Sequence, residues 1–151
     1  MTVETLATSL RTDSVTLVDL AASPDYRRGH IPGAWFAIRA QLSTVARTIA
    51  GSGPIVLTSS DGANAHFAAP ELVAATGRRV MVLQGGTAAW TASGRRLAAG
   101  EERMASPPLD VYRRPYEGTE AGASAMQAYL DWEHGLVAQL ERDGSHGFFV
   151  I

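Results

Sequence analysis

The residues best suited to chemistry lie in a short polar loop between a predicted strand and a predicted helix. Residues 55–57 are apolar and follow Gly53-Pro54, and an alanine-rich helical run begins at about residue 65. A strand, a tight loop and a helix N-terminus in succession direct several backbone N–H groups at one position. Such a position attracts an anion or the negative end of a reacting group. The residues of this candidate site are Ser59, Ser60, Asp61, Gly62, Ala63 and Asn64.

The side chains of this loop supply little reactivity. The sequence contains no cysteine, which excludes disulfides, zinc-thiolate sites and a thiol nucleophile in this chain. A serine hydrolase triad would need one of the two loop serines together with His66 and Asp61. The sequence has no Gly-x-Ser-x-Gly nucleophile elbow, and neighbours in one short loop rarely align as nucleophile, base and orienting acid. A serine hydrolase is therefore a minor alternative, and no metal or cofactor is predicted.

Composition narrows the class of protein. The chain has 151 residues, 46% of them hydrophobic, and a formal net charge of -2, which suits one domain with an extension. Its arginines are scattered, so nothing supports binding to nucleic acid or to a membrane surface. Residues 1–10 lack the basic segment and apolar core of a secretory signal, and charged residues interrupt the apolar stretches. We expect a cytoplasmic protein without nucleic-acid or membrane partners.

Short apolar runs alternate with helical patterns in the first two thirds of the chain. Strands are predicted at residues 15–19, 55–57 and 80–83, with a short extended piece at 34–36 after the turns of residues 25–33. Helices are predicted at residues 5–10, 38–49, 65–75 and 88–93. The second has Leu42, Val45, Ala46 and Ile49 on one face, and Gly77 is the predicted C-cap of the third. Apolar strands that alternate with helices predict an α/β fold with a parallel sheet covered on both faces.

Two residues make specific predictions about these helices. Pro70 lies inside the helix of residues 65–75 and removes one backbone hydrogen bond, which predicts a kink or break near residues 69–70. Thr87 is the predicted N-cap of the next helix, because a threonine side chain can accept hydrogen bonds from the first free N–H groups.

Two further residues have chemical potential but a more common structural role. Asp19 ends the first strand, where α/β folds place functional or loop-anchoring residues. A carboxylate that hydrogen-bonds to loop N–H groups is the more frequent arrangement. His30 lies in a turn, where a lone histidine is more often a structural hydrogen-bonding residue than a ligand or a base.

The last third of the chain differs from the rest. It is predicted to contain a linker at residues 98–108, an irregular segment at 111–118, a helix at 124–142 and an apolar strand or plug at 148–151. The predicted organisation is therefore a domain over residues 1–100, followed by a linker and C-terminal helical extension with a terminal apolar strand over residues 101–151.

Four stretches occur in a familiar order: Leu17-Val18-Asp19, Tyr26-Arg27-Arg28-Gly29-His30-Ile31-Pro32-Gly33-Ala34, the loop of residues 59–64, and Leu83-Gln84-Gly85-Gly86-Thr87-Ala88-Ala89-Trp90. Their order and spacing resemble a rhodanese domain over residues 15–97. The resemblance implies a three-layer fold whose central, mostly parallel sheet has about five strands flanked by helices. It also implies descent from sulfurtransferases, which take sulfur from thiosulfate or mercaptopyruvate through a cysteine persulfide.

This sequence departs from the family at the catalytic loop, which in the family reads Cys-Arg-x-Gly-x-Arg or Thr. When the family's glycine is aligned with Gly62, the cysteine falls on Ser59. The arginine that follows the cysteine falls on Ser60, and the last residue of the motif falls on Asn64. A serine hydroxyl is a far weaker acid than a thiol and cannot carry a persulfide. With Ser60 in place of the family's arginine, the loop has no guanidinium at that position to bind an oxyanion with two hydrogen bonds. Asp61 adds a negative charge to the same loop. The loop is predicted to be catalytically degenerate.

The resemblance leaves three functions open. The first is a catalytically inactive module with a structural or interdomain role in a sulfurtransferase, whose partners are other rhodanese modules of the same parent protein or further copies. Residues 110–117 and 129–133 resemble the end of tandem-rhodanese sulfurtransferases, which implies the C-terminal non-catalytic module. The second is weak binding or sensing of sulfate, thiosulfate or phosphate by the N–H groups of Gly62, Ala63 and Asn64. The third, an active sulfurtransferase, needs a cysteine from another chain or a chemistry that no motif in this sequence indicates.

Overall fold

The chain divides into two units in the computed structural model, Met1–Val111 and Tyr112–Ile151. The residues that the structure describes are 1–47, 49, 53–112, 122–145 and 147. In the first unit the strands are β1 (Thr16–Asp19), β2 (Trp35–Phe36), β3 (Ile55–Thr58) and β4 (Val80–Val82). The helices are α1 (Val3–Arg11), α2 (Ser23–Arg28), α3 (Leu42–Val45), α4 (Ala63–Thr76) and α5 (Gly86–Ala92) in the first unit and α6 (Ala123–Asp143) in the second.

The four strands form one parallel sheet in the order β2-β1-β3-β4. Pairing places Val18 opposite Trp35 and Asp19 opposite Thr58. The predicted α/β class is confirmed, and the described residues contribute four strands where about five were expected. Each connection between parallel strands must cross the sheet, which places helices on its faces.

Successive side chains along each strand point to opposite faces of the sheet, so a hydrophobic core forms on each face. Leu17 and Val56 belong to one buried cluster, together with side chains from α1, α2 and α5. Val18 and Leu57 belong to the other, together with side chains from α3 and α4. Each fully buried aliphatic side chain of this kind contributes about 1.5–3 kcal/mol. The two clusters confirm the predicted three-layer arrangement.

The segment predicted as one helix over residues 38–49 is shorter and irregular. It contains a 3₁₀ turn, Arg39–Gln41, followed by the single turn of α3. Residues 43–45 are serine, threonine and valine, whose weak helix propensity favours a short element. The predicted apolar face is nevertheless correct, since Leu42, Ala46 and Ile49 are buried. Residue 48 lies outside the described part of the chain.

Helix α2 covers part of the segment for which the sequence predicts turns, residues 25–33. A local signal for this helix is present, because Pro24 occupies its first turn and Asp25 places an acidic group near the N-terminus. The glycine that follows, Gly29, still ends the helix, and its N–H binds the carbonyl of Asp25 at 2.9 Å.

Helix α4 continues through Pro70, so of the predicted kink or break, the break is wrong. Proline removes one backbone hydrogen bond but leaves the rest of the helix intact. The buried side chains Ala65, Ala68 and Leu72 pack against the sheet on both sides of the proline in sequence, and this packing stabilises the continuous helix. Gly77 ends the helix with φ 65°, as its C-cap position predicts.

The first unit extends beyond the sheet through backbone hydrogen bonds of residues 98–106. His30 and Ala98 form a two-way bridge, with both N···O distances at 2.9 Å. The N–H of Phe36 donates to the carbonyl of Arg103 at 2.7 Å, and the carbonyl of Phe36 accepts from Ala105 at 2.9 Å. The segment predicted as a linker is therefore tied to the sheet region.

The second unit contains α6, close to the predicted helix at residues 124–142. It ends at Gly144, which has φ 62° and donates its N–H to the carbonyl of Leu140 at 3.1 Å. The predicted strand or plug at residues 148–151 lies outside the described residues. In the described part of the chain, no helix is both long and apolar enough to cross a membrane.

Candidate functional site

The candidate loop follows β3, next to the central strand β1. Strand β1 has β2 on one side and β3 on the other, so the direction of winding changes between β1 and β3. Their carboxyl ends lie side by side, with Asp19 opposite Thr58. In parallel sheets this change of direction opens a crevice at the carboxyl ends of the strands, where ligands usually bind.

Ser59 is the first residue of the loop, directly after β3, and has only 3% of its surface exposed. Its Oγ accepts a hydrogen bond from the N–H of Ala65, in the first turn of α4, at 3.4 Å. Gly62 allows this wrapped conformation because it has φ 90°, a value that side chains disfavour. The loop therefore turns the serine hydroxyl inward, toward the positive end of the helix dipole.

Two polar side chains of the loop are used internally. The carboxylate of Asp61 accepts the N–H of Ala63 through Oδ1 at 2.9 Å. The amide of Asn64 donates from Nδ2 to the carbonyl of Leu20 at 2.9 Å, which ties α4 to the residue after β1. Asp61 thus supplies the negative group at the N-terminus of α4, where such a group is stabilising.

The N-terminus of α5 closes the loop from the other side. The N–H groups of Thr87 and Ala88 donate to the carbonyls of Ser59 and Ser60, each at 2.9 Å. A Cβ atom on Gly86 would lie 2.1 Å from the Ser59 carbonyl oxygen, so only glycine permits this approach.

This contact also explains the error at the predicted N-cap of α5. The helix begins at Gly86 after an N-cap at Gly85, which has φ 70°. Thr87 lies inside the first turn, and its hydroxyl is 3.3 Å from that of Thr58. The first free N–H groups of the observed helix include those of Thr87 and Ala88, and these bind loop carbonyls rather than a capping side chain, an arrangement that depends on tertiary contacts.

A cavity of about 410 Å³ opens beside the loop. Its polar lining comes from four parts of the chain: the end of β1, α2, the loop and α5. The polar side chains that line it are Asp19, Asp25, Arg28, Ser60, Thr87 and Thr91. No residue of the cavity except Ser60 belonged to the predicted site, because the other segments are distant in sequence.

Asp19 is the most buried of these side chains, with 1% of its surface exposed. Its Oδ1 accepts the N–H of Ala21 at 2.9 Å, which matches the expected loop-anchoring role. Its Oδ2 is buried and makes no hydrogen bond to any described residue. Burial raises the pKa of this carboxyl, although the Ala21 N–H, the nearby His30 and the Thr87 hydroxyl oppose the shift.

His30 is fully buried and structural, as expected for a histidine in a turn. Its Nδ1 is 2.8 Å from the carbonyl of Tyr26, and the two rings stack with centroids 3.9 Å apart. The Tyr26 hydroxyl donates to the carbonyl of Ala34 at 2.7 Å. Burial raises the pKa of Tyr26 to about 12, so this hydroxyl stays protonated at neutral pH.

The structure does not assemble the hydrolase triad. His66 lies on the exposed side of α4, and its own N–H binds the carbonyl of Gly62 at 3.0 Å. Among the described hydrogen bonds, none joins the imidazole of His66 to Ser59 or Ser60. Within the described ranges, no group of three or more His, Cys, Asp or Glu side chains is arranged to hold a metal ion.

Comparison with known proteins identifies the family of this fold. The model of the rhodanese-like domain matches residues 2–93. A crystal structure of thiosulfate sulfurtransferase from Pseudomonas aeruginosa is 46% identical, with a TM-score of 0.87 over the whole of this chain. The match spans only 29% of the Pseudomonas chain. No curated protein matches the chain.

Two smaller structures share the fold over most of their own length. The rhodanese-like domain of an Anabaena protein, solved by NMR, is 25% identical, with a TM-score of 0.59 over 75% of this chain and 88% of that one. A rhodanese-related protein from Thermoplasma volcanium is 14% identical, with a TM-score of 0.57 over 65% of this chain and 95% of that one. At that identity the second match bears on the fold alone.

Proposed function

The chain belongs to the rhodanese-like domain family, and from this premise we propose that it is a catalytically inactive module with a structural or interdomain role in a sulfurtransferase. The observation that carries the proposal is the environment of Ser59, which occupies the family's cysteine position. Its hydroxyl is buried and accepts the Ala65 N–H at 3.4 Å, so the loop holds an oxygen where the family's chemistry requires a thiolate.

The rest of the loop supports the same reading. A persulfide-forming site needs positive potential to stabilise the thiolate and the sulfur donor's negative charge. Here the loop side chains are two serines, Asp61 and Asn64, and no cationic group is among them. The nearest cation lining the adjacent cavity, Arg28, is paired with Asp25 at 2.9 Å. Charge as well as the nucleophile has been lost.

Weak binding of sulfate, thiosulfate or phosphate at the loop is a less favoured alternative. It needs free N–H donors at the N-terminus of α4. The N–H of Ala63 already binds Asp61, and the N–H of Ala65 binds Ser59. An incoming anion would have to displace the Asp61 carboxylate and would meet its charge, so the arrangement favours the structural role.

A surface for an interdomain role is present on α6. None of its described residues is buried, and five large apolar side chains along it are at least 36% exposed. Four of them recur at helical spacing on one side of the helix: Met126, Leu130, Val137 and Leu140. The fifth, Trp132, lies outside that stripe, on an adjacent face. An exposed apolar stripe of this length is typical of a face that binds another protein surface.

The partner we propose for this face is another module of the same polypeptide. The Pseudomonas relative contains far more chain than the 29% that matches here, so a protein of that organisation has further surface for the helix to contact. Glu133 lies within the apolar stripe, at the spacing of Tyr129 and Val137. A matching surface would be apolar with a basic side chain opposite this carboxylate.

The enzymatic part of this proposal is tested by a thiosulfate-to-cyanide sulfur transfer assay on the purified chain. The thiosulfate sulfurtransferase from Pseudomonas aeruginosa serves as the positive control in the same buffer. We expect thiocyanate formation at the rate of the protein-free blank. Turnover above the blank that scales with the concentration of this chain would show an active enzyme and would refute the inactive assignment.

A further inference from the structure

The cavity beside the loop has an acidic and hydroxyl-rich lining that the inactive-module proposal does not use. Two acidic residues, Asp19 and Asp25, line it together with three hydroxyl residues, Ser60, Thr87 and Thr91. The single cation in the lining, Arg28, pairs with Asp25 at 2.9 Å. The cavity therefore carries a net negative set of groups in a volume of about 410 Å³, enough for a small molecule.

The group that points to a ligand is Asp19. Its side chain is 1% exposed, and its Oδ2 makes no hydrogen bond to any residue in the described part of the chain. A buried carboxyl oxygen without a partner is costly, because it has lost its hydration and gained nothing in return. Protonation or a bound cation would remove that cost.

We infer that this cavity is a binding site for a primary ammonium group, which pairs with the Asp19 carboxylate. An ammonium has three N–H donors and no acceptor, which suits a lining of carboxylate and hydroxyl oxygens. Asp19 Oδ2 takes one donor, and the hydroxyls of Ser60 and Thr87 are the further acceptors in the lining. The site is independent of the sulfurtransferase chemistry of the family, which acts on anions.

The remaining walls suit the carbon chain of an amine. Ala21, Ala88 and Leu97 line the cavity and provide apolar contact for a few methylene groups. A guanidinium pairs best with both oxygens of one carboxylate, but Oδ1 of Asp19 already accepts the Ala21 N–H and Oδ1 of Asp25 already binds Arg28. An anion would meet both carboxyl groups. The ligand class is therefore an alkylammonium, supplied either by a small free amine or by a lysine side chain of a protein.

The test is an NMR titration of the 15N-labelled chain with butylammonium chloride at neutral pH, with sodium chloride at matched ionic strength as the reference. We expect saturable shifts of the Ala21, Ser60 and Thr87 amides, with half-saturation in the millimolar range. 1-Butanol, which has the same carbon chain but no charge, should produce no saturable shift. Equal responses to both, or no saturation with butylammonium, would overturn the inference.

Two variants locate the charge that is responsible. Asp19→Asn keeps the Oδ1 acceptor for Ala21 and should weaken butylammonium binding about tenfold or more, as expected for the loss of one charged hydrogen bond. Asp13→Asn removes the same charge from an exposed position before β1, at the other end of the strand, and should leave binding unchanged. Equal weakening by both variants would refute a specific site.

A variant that fills the cavity tests the same binding site if Asp19→Asn does not fold. Ala88→Met places a larger side chain in the wall without changing any charge and should abolish the saturable shifts. Retained binding in a folded Ala88→Met protein would overturn the assignment to this cavity. Nα-acetyl-lysine methylamide then distinguishes the sources: tighter binding than butylammonium indicates a lysine side chain, and equal or weaker binding indicates a free amine.

Discussion

Asp61 Oδ1 accepts the backbone N–H of Ala63 at 2.9 Å, so the N-terminus of α4 is capped by a carboxylate of its own loop. The same helix end would otherwise present this donor to an exogenous anion. The neighbouring Ala65 N–H is bound by Ser59 Oγ. The loop thus keeps the backbone path of an anion-binding turn, while its own side chains bind two of the donors, the N–H groups of Ala63 and Ala65.

Restoring the cysteine alone should not restore catalysis. The Ser59→Cys variant would place a thiol near the Ala65 N–H, but Asp61 and the absence of a loop guanidinium would disfavour the thiolate. We expect thiosulfate turnover at least about a hundredfold below that of an active sulfurtransferase, the usual cost of a missing oxyanion donor. Steady-state thiocyanate assays measure this. A Ser59→Cys rate close to that of the active enzyme would contradict the electrostatic argument.

Removing the Asp61 carboxylate should open the loop to anions. In Asp61→Ala the Ala63 N–H loses its partner, which should lower stability by about 1 kcal/mol, the typical value of a lost N-cap. Sulfate should then raise the melting temperature of the variant more than that of the native chain at matched ionic strength. Differential scanning fluorimetry with sulfate and with chloride checks this. An identical sulfate response in both proteins would show that Asp61 does not occupy the site.

The Asp19 carboxyl should make stability depend on pH. Since burial raises its folded pKa above the unfolded value, the folded state holds this proton more tightly. Its contribution is fully present below the unfolded pKa and is lost as pH rises through the folded pKa. The other titratable groups that act on it are His30 and Asp25.

Asp19→Asn removes the titrating carboxyl but keeps an Oδ1 acceptor for the Ala21 N–H. The melting temperature of the variant relative to the native chain should therefore rise from acid to neutral pH. Asp13→Asn, at an exposed position, is the control and should track the native chain. A difference in melting temperature between Asp19→Asn and the native chain that stays constant with pH would show that the carboxyl does not titrate in this range.

Gly86 should be the least replaceable glycine near the loop. A Cβ there would lie 2.1 Å from the Ser59 carbonyl oxygen and 2.5 Å from the Gly62 nitrogen, and the residue has φ 60°. Gly86→Ala should cost about 3 kcal/mol or more through overpacking and backbone strain. Gly94→Ala, at φ 78° with open space around it, should cost only about 1–2 kcal/mol. Denaturant unfolding of both variants tests the difference, and equal losses would contradict it.

The α6 face should tolerate charge in the isolated chain. Val137 is 52% exposed, so Val137→Glu should change the free energy of unfolding by no more than about 0.5 kcal/mol, as is usual for surface substitutions. Gln139→Glu adds the same charge on the other side of the helix and serves as the control. A markedly larger loss for Val137→Glu would show that the chain itself covers this face. A partner module should then be sought only if the two variants are equally stable.

The sequence determined the elements whose signals are local. Apolar runs predicted β1, β3 and β4, the 3.6-residue pattern predicted α6, and Gly77 predicted the end of α4. The loop sequence was also sufficient to identify Ser59 in place of a cysteine, because a missing residue type needs no coordinates. The α/β class followed from alternation of these elements along the chain.

The tertiary structure alone decided how separate segments share donors, acceptors and space. Thr87 lies in the first turn of α5 and not at its N-cap, and its N–H binds the carbonyl of Ser59. Pro70 did not break α4, because both halves of the helix pack on the sheet. The cavity joins the end of β1, α2 and α5, which are far apart in sequence. The parallel pairing that sets Asp19 opposite Thr58 brings the buried carboxyl beside the loop. No local sequence pattern encodes this pairing, because the two residues belong to strands that are far apart in the chain.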